Sequence, residues 1–445
     1  MKIIIIGCGK VGSALAEELT MENHEVAIVD ISAQKLQEVG EDLDALQIHG
    51  NGSSINVLMD AGVTSADLVI AVTGSDELNL LCCLVAKNLG KCHTVARVRN
   101  PIYNKEINLM KESLGISMII NPEMATAAEI ARLLRFPSAI KIDPFAKGKV
   151  ELLKFRLKPE FRLDGKSIVE INMKGKHNIL VAGVERGEQV FIPNGDFVLQ
   201  NGDLVSILAS PKNASAFFKS IGLKTNQVRN CMVVGGGTIA IFLARMLLEM
   251  KMRVVIIEQS KERCELLADL LPDATVVNGD GTSKNLLFEE NLENAEAFVA
   301  LTNMDEENIL LGMFAERMSH AKVVTKVNRV AFDDITDELE LGSLIHPKYI
   351  TTDRILQYTR ATQNSIGSNV ETLYHILDSK AEENSSVVGV ELKDLRLKNN
   401  LLVGCINRGG KVLIPRGDDC LIVGDTVVVV TSQKCLRDIE DILEK

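Results

Sequence analysis

No run of this 445-residue chain stays apolar for the ~18–20 residues that a bilayer-crossing helix requires. Its opening, Met1 to Gly7, is a four-isoleucine strand rather than an export signal, so a cytoplasmic protein is expected. Positive charge is also in short supply, with 49 Lys and Arg against 60 Asp and Glu and a formal net charge of −11. Binders of phosphate backbone gather Lys and Arg to displace counterions; this chain has no basic stripe, so no nucleic-acid partner is expected. The nine cysteines include the vicinal pair Cys82-Cys83 but no Cys-x-x-Cys spacing, which points to buried, reduced thiols. The seven histidines, His24, His49, His93, His177, His320, His346 and His375, show no metal-ligand spacing, and no metal site is expected.

What the chain does have, it has twice. Gly7-Cys8-Gly9-Lys10-Val11-Gly12 with Asp30 downstream returns 228 positions on as Gly235-Gly236-Gly237-Thr238-Ile239-Ala240 with Glu258. Gly50-Asn51-Gly52-Ser53 and Thr73-Gly74-Ser75-Asp76-Glu77-Leu78-Asn79 return 229 positions on, from Gly279 and from Thr302-Asn303. A third block, Ile192-Pro193-Asn194-Gly195-Asp196, reappears as Ile414-Pro415-Arg416-Gly417-Asp418. The whole chain is therefore one tandem duplication.

Lys2 to Ile6 is a short, continuous β-branched run ending in glycine, the pattern of a parallel strand buried on both faces. Helical patterns (Val11 to Met21, Asp76 to Asn88) alternate with further strands at Glu25–Val29, Ala45–Ile48, Leu68–Val72, Thr94–Val98 and Met118–Ile120. The second copy repeats the plan at Cys231–Val234, Arg253–Ile257, Thr275–Val277, Ala297–Leu301 and Lys322–Val327. Such alternation specifies right-handed crossovers and an α/β fold with two Rossmann-like, doubly wound parallel-sheet domains. A helix follows each (Pro122 to Arg135, Pro347 to Arg360), then a small C-terminal domain of α+β character, mainly β, with hairpins over 150–209 and 387–431. The expected domains are 1–137, 138–225, 226–363 and 364–445. Boundaries are expected near 138–148, 211–227 and 364–386, the last polar, acidic and the most flexible.

In the first loop Gly7 permits the tight turn, Gly9 lets backbone approach a pyrophosphate, Gly12 lets helix pack on sheet, and phosphates sit at the helix N-terminus. Asp30 is placed to accept hydrogen bonds from a ribose 2′-hydroxyl, which favours NAD or an adenosine nucleotide over a 2′-phosphate. In the second loop Ala240 replaces the third glycine, and Glu258 keeps the acid. Thr73-Gly74 and Thr302-Asn303 end the fourth strands and are expected to meet ligand through their backbone. Arg97, matched by Lys326, ends the fifth strand, where either a phosphate contact or an exposed salt bridge fits. Asp76 and Asp305 read as helix N-caps. A dehydrogenase adds a substrate domain with a proton-relay His, Lys or Asp, and none is evident, so an NAD-dependent oxidoreductase is the alternative and a non-enzyme the expectation. A redox-sensing DNA regulator is a third reading, disfavoured by the acidic balance.

This order of elements, with Ala96-Arg97-Val98-Arg99-Asn100-Pro101 and the Ile-Pro-x-Gly-Asp segments, resembles the TrkA family, the regulatory subunits of Trk-type potassium uptake systems with tandem RCK (regulator-of-potassium-conductance) domains. The resemblance covers essentially the whole chain. It implies a protein on the inner face of the membrane that binds NAD(H) and, in some members, ATP or ADP. It also implies a homo-oligomeric ring, dimer or tetramer, gating a membrane-embedded potassium channel or transporter subunit. The implied nucleotide contacts are Gly7, Cys8, Gly9, Lys10, Val11, Gly12, Asp30, Thr73, Gly74 and Arg97, then Gly235, Gly236, Gly237, Thr238, Ile239, Glu258, Thr302 and Asn303. The crossover helices, Thr126 to Leu134 and Ile355 to Thr362, are expected at contacts between subunits, burial within one subunit being the alternative.

Overall fold

The computed structural model describes all residues except 41–42, 101–102, 104–106, 137–138, 146–148, 176–177, 188, 222–227, 329–341, 363–366, 370–374, 382–384, 410, 432–438 and 445. Its first unit runs β1 (Lys2–Ile6), α1 (Lys10–Met21), β2 (Glu25–Asp30), α2 (Ala33–Gly40), β3 (Leu46–His49), α3 (Ile55–Asp60), β4 (Leu68–Ala71), α4 (Asp76–Leu89), β5 (His93–Arg97), α5 (Ile107–Leu114), β6 (Met118–Ile120) and α6 (Pro122–Arg135). The sheet order is β3-β2-β1-β4-β5-β6, with every neighbouring pair parallel. Ile3 to Ile6 are all buried, as an unbroken β-branched run sandwiched between helices must be.

The first small domain comprises β7 (Lys141–Phe145), β8 (Val150–Arg156), α7 (Ile168–Gly175), β9 (Ile179–Arg186), β10 (Gln189–Phe191), β11 (Leu204–Ala209) and α8 (Pro211–Ser220), in the antiparallel order β10-β9-β11-β8-β7. The second unit follows with β12 (Asn230–Val234), α9 (Thr238–Glu249), β13 (Arg253–Glu258), α10 (Lys261–Leu270), β14 (Thr275–Asn278), α11 (Lys284–Glu289), β15 (Ala297–Ala300), α12 (Asp305–Met318), β16 (Lys322–Lys326), β17 (Ser343–Ile345) and α13 (Pro347–Thr362). Its sheet, β14-β13-β12-β15-β16-β17, repeats the order of the first. A second small sheet, from β18 (Gly367–Asn369), β19 (His375–Lys380), β20 (Leu401–Arg408), β21 (Lys411–Leu413) and β22 (Thr426–Thr431), repeats the order of the first small sheet. The duplication extends to a defect: the register slips at Ser206/Ile207 in one copy and at Val403/Cys405 in the other.

Several expectations change. The segments where boundaries are expected, 138–148, 211–227 and 364–386, contain β7, α8, β18 and β19, and the expected boundaries at 137/138, 225/226 and 363/364 touch residues outside the described set. β7 carries Pro144 and β18 is three residues long, features that suit edge strands and hide them from a pattern search. The Ile-Pro-x-Gly-Asp segments are turns within longer connections, closed by Phe197 N–H to the Asn194 carbonyl and Asp419 N–H to the Arg416 carbonyl. The hairpins turn at Gly187 and Gly409, both at positive φ.

The units exchange helices. Ile130, Leu133 and Leu134 of α6 join Ala240, Leu243 and Leu247 of α9 in one buried cluster that continues into the first small domain. Reciprocally, Ile355 and Leu356 of α13 lie with Leu15 and Leu19 of α1. The apolar faces of the crossover helices are thus buried within one chain, correcting the expected contact between subunits. Each such side chain contributes about 1.5–3 kcal/mol over exposure, so packing holds the units together. The small sheets also meet, Cys405, Val428 and Val430 packing on Leu152, Ala182 and Leu208. Gly404 allows this approach, since a Cβ there would lie 2.5 Å from Leu208 Cδ1.

Candidate functional site

The two glycine loops share one geometry. Gly7 and Gly235 turn at φ +105° and +102°, and a Cβ would fall 2.9 Å from Thr73 N or 2.8 Å from the Leu301 carbonyl, so only glycine fits. α1 and α9 are capped by Gly9 and Gly237, which offer no side-chain acceptor, and neither first turn holds an acid. By contrast α4, α6 and α10 are capped by Ser75, Asn121 and Ser260, whose side chains accept from Leu78, Met124 and Arg263 N–H. A Cβ on Gly9 or Gly237 would meet nothing within 4 Å. Two helix N-termini thus present their first-turn N–H groups without a side-chain acceptor to open space, the arrangement a phosphate satisfies. Lys10 adds an exposed cation at the first; the second has Thr238.

The acids have a task within the loops. Asp30 Oδ2 accepts from Cys8 N–H at 2.6 Å and Oδ1 from Ser32 N–H at 2.8 Å. Glu258 matches this, accepting from Gly236 N–H at 2.7 Å and Ser260 N–H at 2.8 Å. The reading of Asp30 as a ribose acceptor alone is corrected: each carboxylate first braces its glycine loop, and its spare lone pairs remain for a ribose hydroxyl. Cys8 is buried, and burial together with Asp30 pushes its thiol up. Burial pushes Cys82 and Cys231 up to about 12, which leaves them unreactive.

Beyond β4 and β15 the structure departs from expectation. Fully buried Asn79 accepts from Thr73 N–H and Oγ1 at 2.8 and 2.7 Å and donates to the Arg97 carbonyl at 2.9 Å. Asn308 likewise accepts from Thr302 N–H at 2.8 Å and donates to the Thr302 and Lys326 carbonyls. The threonine backbones are therefore engaged internally, leaving Gly74 and Asn303, both exposed, facing the crevice. Arg97 donates to the Thr73 carbonyl and is half-buried, so it braces the loop and is no exposed salt bridge. Asp76 and Asp305 are not the helix caps expected, because Ser75 and Met304 occupy those positions. Asp76 instead accepts from Arg99 and Asn100 N–H, both at 2.8 Å, and Asp305 from Asn328 N–H at 2.9 Å, clamping the segment after the fifth strand.

A cavity of about 290 Å³ opens at the second loop, where the units meet. Gly237 to Ala240, Asn303, Lys326 and Asn328 line it from the second unit, and Glu123 and Thr126 of α6 from the first. Burial lowers the Lys326 ammonium pKa and raises that of the Glu123 carboxyl, against the pull of Arg99 and Arg97. Sequence reasoning missed Glu123, Thr126 and Asn328. The repeat flagged Asn79 and Asn308 without revealing their role, and nothing local to Glu123 says that its helix crosses to the other unit.

These features define a tandem-repeat protein of the dinucleotide-binding fold, each copy followed by a small antiparallel domain. The TrkA-N domain family matches residues 3–122 and 231–347, and the TrkA-C domain family matches 152–222 and 378–444. The Trk system potassium uptake protein TrkA of Halomonas elongata is 34% identical, covering 100% of this chain and 99% of its own. A homologue of that protein in Archaeoglobus fulgidus is 33% identical over 99% and 100%. The chain belongs to the TrkA family. Among solved structures the GsuK RCK domain superposes with a TM-score of 0.63 at 17% identity, covering 96% of this chain and 91% of that one. The GsuK channel bound to NAD gives 0.64 at 17% identity over 96% and 76%. This likeness establishes a shared RCK fold.

Proposed function

We propose that this chain is a nucleotide-sensing regulatory subunit of a potassium uptake system. It binds NAD(H), and ATP or ADP, at two pockets built on Gly7 to Gly12 with Asp30 and on Gly235 to Ile239 with Glu258. As a homo-oligomeric ring on the cytoplasmic face of the membrane, it gates a membrane-embedded potassium channel or transporter subunit. The four expected domains divide this work: two sense nucleotide, and the small ones transmit or assemble. The observation that carries the reading is that the bare helix N-terminus of α9 opens into a cavity whose opposite wall, α6, belongs to the other unit. A ligand there contacts both units and biases how they pack, the differential interaction that a gate requires. The relatives support it, since the TrkA relatives are potassium uptake proteins and GsuK, a channel of RCK fold, has structures bound to NAD and to ADP. No helix among the described residues is long and apolar enough to cross a membrane, so the reading needs a partner that does.

The test is calorimetric titration of the purified chain with NAD, NADH, ATP and ADP, followed by potassium uptake in cells carrying loop variants. Micromolar binding and nucleotide-dependent uptake are expected. Absence of binding by all four sinks the reading, and steady oxidation of NADH with a panel of carbonyl substrates replaces it with an oxidoreductase.

A further inference from the structure

The second sheet tells the two halves of its crevice apart. Glu258, ending β13, marks the side that takes the adenosine ribose of a dinucleotide. The cavity starts at the glycine loop after β12 and extends to the other side, along residues at the ends of β15, β16 and β17, where the second nucleoside of a dinucleotide comes to rest. At about 290 Å³ it is near the lower end of small-molecule sites, ~300–1,000 Å³, and suits one nucleoside rather than a whole dinucleotide. Two charged residues line it, one of each sign: Lys326 from the second unit and Glu123 from the first. Glu123 Oε2 is sealed from solvent with no hydrogen-bond partner among the described residues.

A wall pair of opposite signs fits a ligand that itself carries both. The nicotinamide dinucleotide does so only when oxidised, its pyrophosphate anionic and its pyridinium ring cationic; on reduction the ring becomes neutral. We propose that Glu123, reaching across from the first unit, makes the second pocket select the oxidised nicotinamide dinucleotide over the reduced one. The inference rests on the nucleotide-binding reading above. Lys326 is the cation available to the pyrophosphate, and the Glu123 carboxylate, with Arg99 and Arg97 of its own unit nearby, is already stripped of much of its water by the fold and attracts the ring at little further desolvation cost. The corresponding residue of α13 is Lys348, at the offset of 225 that carries Pro122 to Pro347 and Thr126 to Thr351, so the sequence does not repeat this acid.

The experiment silences the first pocket with Gly9→Asp in the full chain and titrates it with NAD+ and with NADH. Chains carrying Glu123, E123Q and E123D are compared after circular dichroism shows equal folding. With Glu123 the Kd for NAD+ is expected about tenfold below that for NADH, the size of a unit-charge interaction across roughly 10 Å at an effective dielectric near 20. E123Q is expected to bring the ratio near one by weakening NAD+ and leaving NADH unchanged, and E123D to keep the preference. A merely structural Glu123 would move both ligands together. Equal affinities with Glu123 present, or an unchanged ratio in E123Q, overturn the proposal. If neither form binds this background while both bind a Gly237→Asp chain, the second pocket is no dinucleotide site and the proposal falls alone. If neither chain binds either form, the nucleotide-binding reading falls with it.

Discussion

The first and second glycine loops use the same turn to different depths. In the first, a Cβ on Gly12 would sit 1.9 Å from the Gly7 carbonyl oxygen, so α1 presses against its own loop. In the second, Ala240 carries that methyl fully buried, which requires α9 to stand farther from Gly235, and there the cavity opens toward the other unit. The fifth strands differ in the same spirit. His93 and Lys322 both open those strands and both reach the other unit, His93 Nδ1 lying 3.2 Å from the Tyr358 hydroxyl and Lys322 Nζ donating to the Ala139 carbonyl at 2.7 Å. The lesson is that the duplication preserved the backbone plan while the side chains aimed across it diverged.

Exchanging the third glycine tests the comparison hardest. Gly12→Ala drives a methyl into backbone and is expected to cost several kcal/mol, at or above the ~1–3 kcal/mol usual for overpacking, and to abolish first-pocket binding. Ala240→Gly is expected to cost only ~1 kcal/mol through helix propensity and to keep the second pocket. Thermal denaturation with paired titrations reads both, and equal losses would erase the distinction between tight and open loops.

Next in size, Gly237→Asp places a carboxylate at the bare terminus of α9, where a side chain meets nothing within 4 Å. Second-pocket binding is expected to fall more than 100-fold while stability changes by no more than about 0.5 kcal/mol, as at an open surface site. Gly235→Asp would confound the test, since φ +102° and the Leu301 backbone forbid a side chain there. Retained binding in Gly237→Asp would remove that terminus from the pocket.

The braces come third. Asp30→Ala and Glu258→Ala each strip a carboxylate from two backbone N–H groups and are each expected to cost ~1–3 kcal/mol and about tenfold in affinity at their own pocket. Calorimetry at matched folding decides whether the two acids are equivalent. A loss at one pocket only would show that one acid is a brace and no more.

The last effect is a pH dependence traced to Lys322. Burial lowers the Lys322 ammonium from 10.5 to about 8. Below pH 8 the folded chain holds a charged ammonium that unfolding would rehydrate; between about 8 and 10.5 the unfolded chain binds more protons, so stability rises with pH through that window. Lys322→Met is expected to flatten that rise relative to the parent chain, measured as the difference in Tm between buffers at about pH 7.5 and about pH 10, which bracket most of the window. An identical rise in the variant assigns the dependence elsewhere.

The parallel sheets were legible because strands buried on both faces must be continuous β-branched runs, as Ile3 to Ile6 and Val254 to Ile257 are. The glycine loops were legible because backbone dictates them. Edge strands β7 and β18 were hidden by proline and brevity, since half-solvated edges impose little pattern, and β19, which lies inside its sheet, was hidden by its polar sequence. Asp76 shows a subtler failure. Its place at a helix start suggested a cap, but its oxygen accepts from residues 23 and 24 positions away, a partnership only the folded sheet creates. Glu123 was invisible for the same reason: the residues facing it across the cavity, from Gly237 on, lie more than a hundred positions distant.

The exchange of α6 and α13 has a further consequence, one of heredity. Two identical subunits swapping helices must carry the same residue at both crossings, because one codon writes both. Here the crossings have separate codons, and Glu123 can stand where its counterpart is Lys348. Joining the copies freed each crossing to mutate alone, so a single polypeptide can ask two different chemical questions of the cell with one inherited frame.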